Sequence, residues 1–199
     1  MAAPGVPPLV VVMGVSGSGK SALGTRLAAR LDLAFVDGDD LHPARNIAKM
    51  AAGHPLDDAD REPWLQIIGR WLEDHRDRGG VVACSALRRS YRDLIREHCP
   101  EVVFLHLAGN RDLIVERVAA RSHHFMPASL VDSQFATLEP LGPDEAGTTL
   151  DIARTIPDLV VEAAHWLAGR GPTAAPRGGA ARTPRRGGGR SPPGRARSG

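Results

Sequence analysis

Residues 9–21, Leu-Val-Val-Val-Met-Gly-Val-Ser-Gly-Ser-Gly-Lys-Ser, constrain this chain more than any other stretch. The apolar run Leu9 to Met13 has the length and composition of a strand buried on both faces. Gly14-Val15-Ser16-Gly17-Ser18-Gly19-Lys20-Ser21 then matches G-x-x-x-x-G-K-[ST] at every fixed position. Glycines let the backbone curl until its N–H groups converge on an anion. Lys20 is placed to reach the β- and γ-phosphates of a nucleotide, and the Ser21 hydroxyl to ligate Mg²⁺. Leu23, Leu27 and Leu31 recur at helical spacing, so the loop ends on a helix N-terminus, which favours phosphate. The competing reading is a glycine-rich turn with no ligand. The order strand, loop, helix argues against it.

Further along, strand and helix patterns alternate. Ala34 to Asp37 reads as a second strand, closed by Asp37-Gly-Asp39-Asp40. On an extended backbone Asp37 and Asp39 would face the same side. Ala44 to Ala52 looks helical and stops at Gly53-His54-Pro55. Asp60 is the expected cap of the next helix, with Pro63 in its first turn, and Asp57 is open between capping and function. Trp64, Ile67, Ile68, Trp71 and Leu72 form that helix's apolar stripe. Trp71 reads as core, whereas Trp64 is placed to wall a site. Val81 to Cys84, Val102 to Leu107 and Thr148 to Ile152 are further strands. Tyr91 to His98, Arg111 to Arg121, Ala128 to Leu138 and Ile156 to Leu167 are further helices. The alternation predicts an α/β fold with a parallel five-stranded sheet covered on both faces. Ligands of such sheets gather at the carboxyl ends of the strands.

Composition narrows the setting. No apolar run approaches the roughly 20 residues of a membrane helix. The first residues lack the basic segment of a signal peptide, and two cysteines make neither a disulfide framework nor a zinc site. His54, His75, His98, His106 and His165 show no ligand spacing. A cytoplasmic protein without membrane contact is expected. Of 25 basic residues, eight fall in 170–199, which holds no acidic residue. Residues 1–169 therefore carry 17 basic against 23 acidic residues. The Arg/Gly/Pro-rich tail, 170–199, cannot bury enough apolar surface to offset its ordering entropy, and is expected to be disordered. Weak binding of polyanions is one reading of it, and a solvated appendage is the preferred one.

Two stretches turn a general phosphate site into a specific one. Asp37 to Met50 (DGDDLHPARNIAKM) with Pro55 to Leu65 (PLDDADREPWL) closely resembles the gluconokinase family. So do Cys84 to Leu94 (CSALRRSYRDL), His124-Phe-Met-Pro127 and Ser133 to Glu139 (SQFATLE). The resemblance runs from about Leu9 to Leu167. It departs at His123, where members often carry glycine or an acidic residue, and the tail has no counterpart. It implies ATP-dependent phosphorylation of D-gluconate at the 6-hydroxyl, a three-layer P-loop kinase fold and a homodimer. It also implies a kinase domain over 1–169, with an acceptor segment near 38–78 and a mobile lid near 122–140.

Residue chemistry and the resemblance together give the roles expected of individual side chains. Gly14 to Ser21 cradle the nucleotide. Arg121 is the expected lid arginine on the transferring phosphoryl group. Arg117, four residues earlier, suits adenine stacking or the nucleotide phosphates. Asp37 joins Ser21 on Mg²⁺, directly or through water. Asp39 is the expected catalytic carboxylate, taking the acceptor proton. His42, Arg45, Lys49, Arg88, Arg92 and His124 complete the gluconate site, Arg suiting a bidentate carboxylate contact. The alternatives are another small-molecule kinase, shikimate-like in its acceptor, and a nucleotide-binding module without catalysis.

Overall fold

The computed structural model describes residues 6–120 and 128–169. The chain folds as β1 (Leu9–Met13), α1 (Lys20–Leu31), β2 (Ala34–Asp37), a 3₁₀ turn (Gly38–Leu41), α2 (Ala44–Ala51) and α3 (Asp58–Asp74). Then come β3 (Gly80–Ala83), α4 (Arg89–His98), β4 (Val103–Ala108), α5 (Arg111–Ala119), α6 (Ala128–Thr137), β5 (Gly147–Asp151) and α7 (Ile156–Gly169). Each expected strand is present, with boundaries moved by at most a residue.

The five strands are parallel, in the order β2-β3-β1-β4-β5. β1 is central. The first crossover leads from it to the β2 edge, and later strands fill both sides. The carboxyl end of β1, where the glycine loop leaves, is thus the point at which the winding reverses and ligands bind in open α/β sheets. Strand alternation divides the core in two. Val10 and Val12 face a cluster with Leu23, Leu27, Ile114 and Leu159, under α1, α5 and α7. Leu9, Val11 and Met13 face Leu65, Ile68, Leu72, Tyr91 and Ile95, under α3 and α4. A strand buried on both faces reads as continuously apolar for this reason.

Two expectations are corrected. The cap of α3 is Asp57, not Asp60: the Asp57 side chain accepts from Asp60 N–H, and Asp60 accepts from Asp57 N–H, both at 3.0 Å. Pro63 suggested a later start, but this reciprocal pair nucleates the helix one turn earlier. Asp39 is not on extended backbone. The chain tightens into the 3₁₀ turn directly after β2, with Asp37 accepting from Asp39 N–H at 3.2 Å.

The expected disordered tail, 170–199, residues 122–127 of the expected lid and residue 121 before it lie outside the described residues. Among the described residues no helix is long and apolar enough to cross a membrane.

Candidate active site

The phosphate loop joins β1 to α1, and α1 starts at Lys20 with no side-chain cap. Its first amides are therefore left to an anion. Gly17 has φ +84°, and a Cβ there would lie 2.6 Å from a Val118 methyl, so α5 holds the loop closed from behind. Gly14 N–H donates to Ser85 C=O at 3.2 Å, tying the loop to the turn after β3. Lys20 Nζ reaches back to Val15 C=O at 3.2 Å.

Opposite the loop stands the β2 terminus. Ser21 Oγ donates to Asp37 Oδ2 at 2.5 Å, so the two oxygens expected at a metal already meet. Hard oxygen donors beside a polyphosphate loop fit Mg²⁺. Asp39 is exposed. The surrounding protein still strips enough water from its carboxyl to raise its pKa, the Asp37 charge raises it further, and Lys20 opposes both. Lys20, Asp37 and Asp39 therefore share one electrostatic site. Gly38 between the carboxylates packs too closely for a side chain, since a Cβ would lie 2.6 Å from Ala83 C=O.

The side expected to take the acceptor is built on α2 and α3. Trp64 is buried and its indole N–H donates to Gly38 C=O at 2.7 Å, bracing the turn that carries Asp39. His42 stacks on Trp64 with ring centroids 4.1 Å apart. Burial lowers the His42 pKa, against the pull of Asp39 and with help from Arg61, which favours the neutral imidazole. Asn46 is fully buried and donates to Asp60 C=O at 2.8 Å, joining α2 to α3. Arg45 and Lys49 share a face of α2, as their spacing requires. Arg45 is exposed. Lys49 is engaged instead by Asp57, at 3.2 Å, and by Asp60. Arg88 pairs with Asp58 at 2.7 Å and lies 5.6 Å from the Tyr91 ring centre.

One assigned residue is corrected. Arg92 is not a substrate ligand: it is fully buried. Its guanidinium donates to Glu145 at 2.7 Å through both Nε and Nη2, and to the carbonyls of Ala86, Leu87, Glu139 and Pro140. Every donor is spent inside the protein. Arg117 lies beside the loop at the β5 end, donating to Ile152 C=O at 2.7 Å. α5 stops at Ala119. Arg121 and His124 lie outside the described residues.

Sequence reasoning passed over two residues. Arg61 adds a second guanidinium 5.9 Å from the Tyr91 ring centre, on the acceptor side. Its signal was its place inside the Asp60-Arg-Glu-Pro-Trp stretch. Gln134 on α6 accepts from Ser16 N–H at 2.6 Å, across 118 residues of chain. No local pattern marks that contact.

The family model described as shikimate kinase matches residues 16–138. The thermoresistant gluconokinase of Escherichia coli K12 is 44% identical over 155 residues, covering 76% of this chain and 89% of that protein. The gluconokinase of Gluconobacter oxydans 621H is 45% identical over 158 residues, covering 78% and 88%. Among solved structures, a gluconokinase from Sinorhizobium meliloti 1021 superposes with a TM-score of 0.76 at 44% identity, covering 83% of this chain and 94% of its own.

Proposed function

The chain belongs to the gluconokinase family, and on that premise we propose that it transfers the γ-phosphoryl group of ATP to the 6-hydroxyl of D-gluconate. The observation that carries this reading is the common electrostatic site of Lys20, Asp37 and Asp39, with Ser21 hydrogen-bonded to Asp37. A kinase needs a cation on the departing polyphosphate and an acceptor for the hydroxyl proton, within one site closed to water.

The glycine loop amides and Lys20 hold the β- and γ-phosphates. Ser21 and Asp37 are the residues that would hold Mg²⁺, which supplies charge neutralisation for the polyphosphate when bound. Arg117 flanks the nucleotide where α5 meets the end of β5. Arg88, Arg61 and Arg45 are the cations on the acceptor side for the gluconate carboxylate. Asp39 and neutral His42 meet its hydroxyls, with Trp64 and Asn46 fixing the wall behind them. Asp39 orients the 6-hydroxyl in line with the γ-phosphorus. As the new O–P bond forms and the bond to the ADP oxygen breaks, the hydroxyl proton passes to Asp39. The transition state is loose, so orientation counts for more than basicity. Residues 38–78 thus serve as the acceptor segment.

The test is an acceptor screen. Purified protein, ATP and Mg²⁺ are incubated with D-gluconate, shikimate and nucleoside monophosphates, and ADP release is followed. Phosphorus NMR should show a phosphomonoester on C6 of gluconate. Faster turnover with shikimate, the acceptor named in the matching family model, would overturn the reading.

A further inference from the structure

The contact between Ser16 and Gln134 joins the phosphate loop to an element given no part in the site above. Ser16 N–H is an amide of the phosphate loop, and here it is taken by a side-chain carbonyl from α6 at 2.6 Å. Gln134 is held there from several directions. Arg111 on α5 grips Asp132 on α6 through Nε at 2.5 Å and Nη2 at 3.1 Å. Val131 is buried in the core and Phe135 packs against it. Just past α6, Glu139 N–H donates to Leu87 C=O at 2.8 Å, and Glu139 Oε2 accepts from Arg89 N–H at 2.6 Å. Held at Asp132 and just past its C-terminus, α6 keeps the Gln134 carboxamide on the loop.

A carboxamide carries one acceptor and two donors on a terminal torsion that turns easily. Its oxygen satisfies Ser16 N–H. A phosphate oxygen is a charge-assisted and stronger acceptor for that same N–H. A phosphate oxygen on that N–H would compete with the Gln134 oxygen and would lie beside a side chain that also carries two donors.

We propose that Gln134 is a contact of the transferring phosphoryl group, exchanging its bond to Ser16 N–H for a donated bond to a γ-phosphoryl oxygen. This deepens the kinase reading above and rests on it. Gln134 would then separate ATP, which carries the γ-group, from ADP, which does not. It would also donate to the oxygens on which charge accumulates during transfer.

The experiment compares Gln134→Ala and Gln134→Glu with wild type. Affinities for ADP and for a non-hydrolysable ATP analogue are measured by calorimetry without acceptor, alongside kcat and melting temperature. Glutamate keeps an acceptor for Ser16 N–H but sets a negative charge against the γ-group. Both variants should bind the analogue about tenfold or more weakly, the worth of one hydrogen bond to a charged group, and bind ADP as wild type does. Loss of a preorganised donor should lower kcat about 100-fold. Equal weakening of both nucleotides, or an unchanged kcat, would overturn the proposal and leave Gln134 a strut of α6. If alanine lowers the melting temperature, glutamate decides. Because the affinities need no acceptor, they stand whatever the acceptor screen shows.

Discussion

Lys20 acts on the charge of Asp39, and each residue carries a separable consequence. Lys20 compensates phosphate charge and is no part of either apolar core. Lys20→Ala should lower kcat about 100- to 1,000-fold while the melting temperature stays near wild type, since one preorganised charged contact is worth about 2.7–4 kcal/mol in the transition state. Asp39→Asn keeps the shape and loses the charge. It should cut kcat strongly with ATP affinity nearly unchanged, whereas a mere turn cap would show a small stability loss and full kcat. The titration of Asp39 can be checked without substrate. Carbon NMR of the nucleotide-free protein should place its carboxyl above the ordinary 3.8, because desolvation and Asp37 both disfavour the charge. Lys20 stabilises the carboxylate, so Lys20→Met should raise the value further. A fall on that substitution would remove the two from a common site. The phosphate-loop and β2 residues were legible from sequence because their roles follow from local spacing. Arg92 was not: its partner Glu145 lies 53 positions away, and a buried arginine looks like a surface one until its partner is placed.

At the scale of elements, the sequence was most informative where one pattern dominates. The apolar strands and the alternating order were readable since burial on both faces leaves no other composition. Ends were harder, because they depend on single hydrogen bonds. The start of α3 turned on whether Asp57 or Asp60 accepts the free amides, and both sit in the same acidic run. The reciprocal pair also gathers Lys49 from α2, so the cap ties two elements of the acceptor wall together. Asp57→Ala should cost about 1 kcal/mol in denaturant unfolding, while Asp57→Asn, an equally good cap, should cost little. Equal losses in both would show that the Lys49 charge pair, not the cap, is what matters there. The packing of α6 against α5 and over the phosphate loop was not legible, since it rests on Arg111–Asp132 and Ser16–Gln134, contacts that no periodicity encodes.

Across the whole molecule, the Arg92–Glu145 pair joins parts that the chain keeps far apart. Both side chains are at most 1% exposed. Arg92 donates to Ala86 and Leu87 C=O, in the turn where Ala86 is held at φ +42°. Ser85, in that same turn, accepts from Gly14 of the phosphate loop. Through Glu139 and Pro140 the same guanidinium fixes the chain leaving α6. One cation thus sets the floor of the loop and the exit of the helix above it. Removing one partner of such a pair strands a buried charge, so Arg92→Met should cost about 3–5 kcal/mol and reduce turnover without touching substrate. Burial alone would raise the Glu145 pKa. Hydrogen bonds from Arg92, Gly142 N–H and Arg96 outweigh it and hold the carboxyl at about 2. A depressed carboxyl adds stability that is complete above its unfolded value, near the ordinary 4.5, and drains away as pH falls toward 2. Glu145→Gln has no proton to take up over that window. The variant should be less stable than wild type at pH 7, and the gap should narrow as both are acidified from pH 5 to 3 in chemical denaturation. A gap that stayed constant would mean that Glu145 holds the turn by shape and hydrogen bonding alone, with its charge contributing nothing.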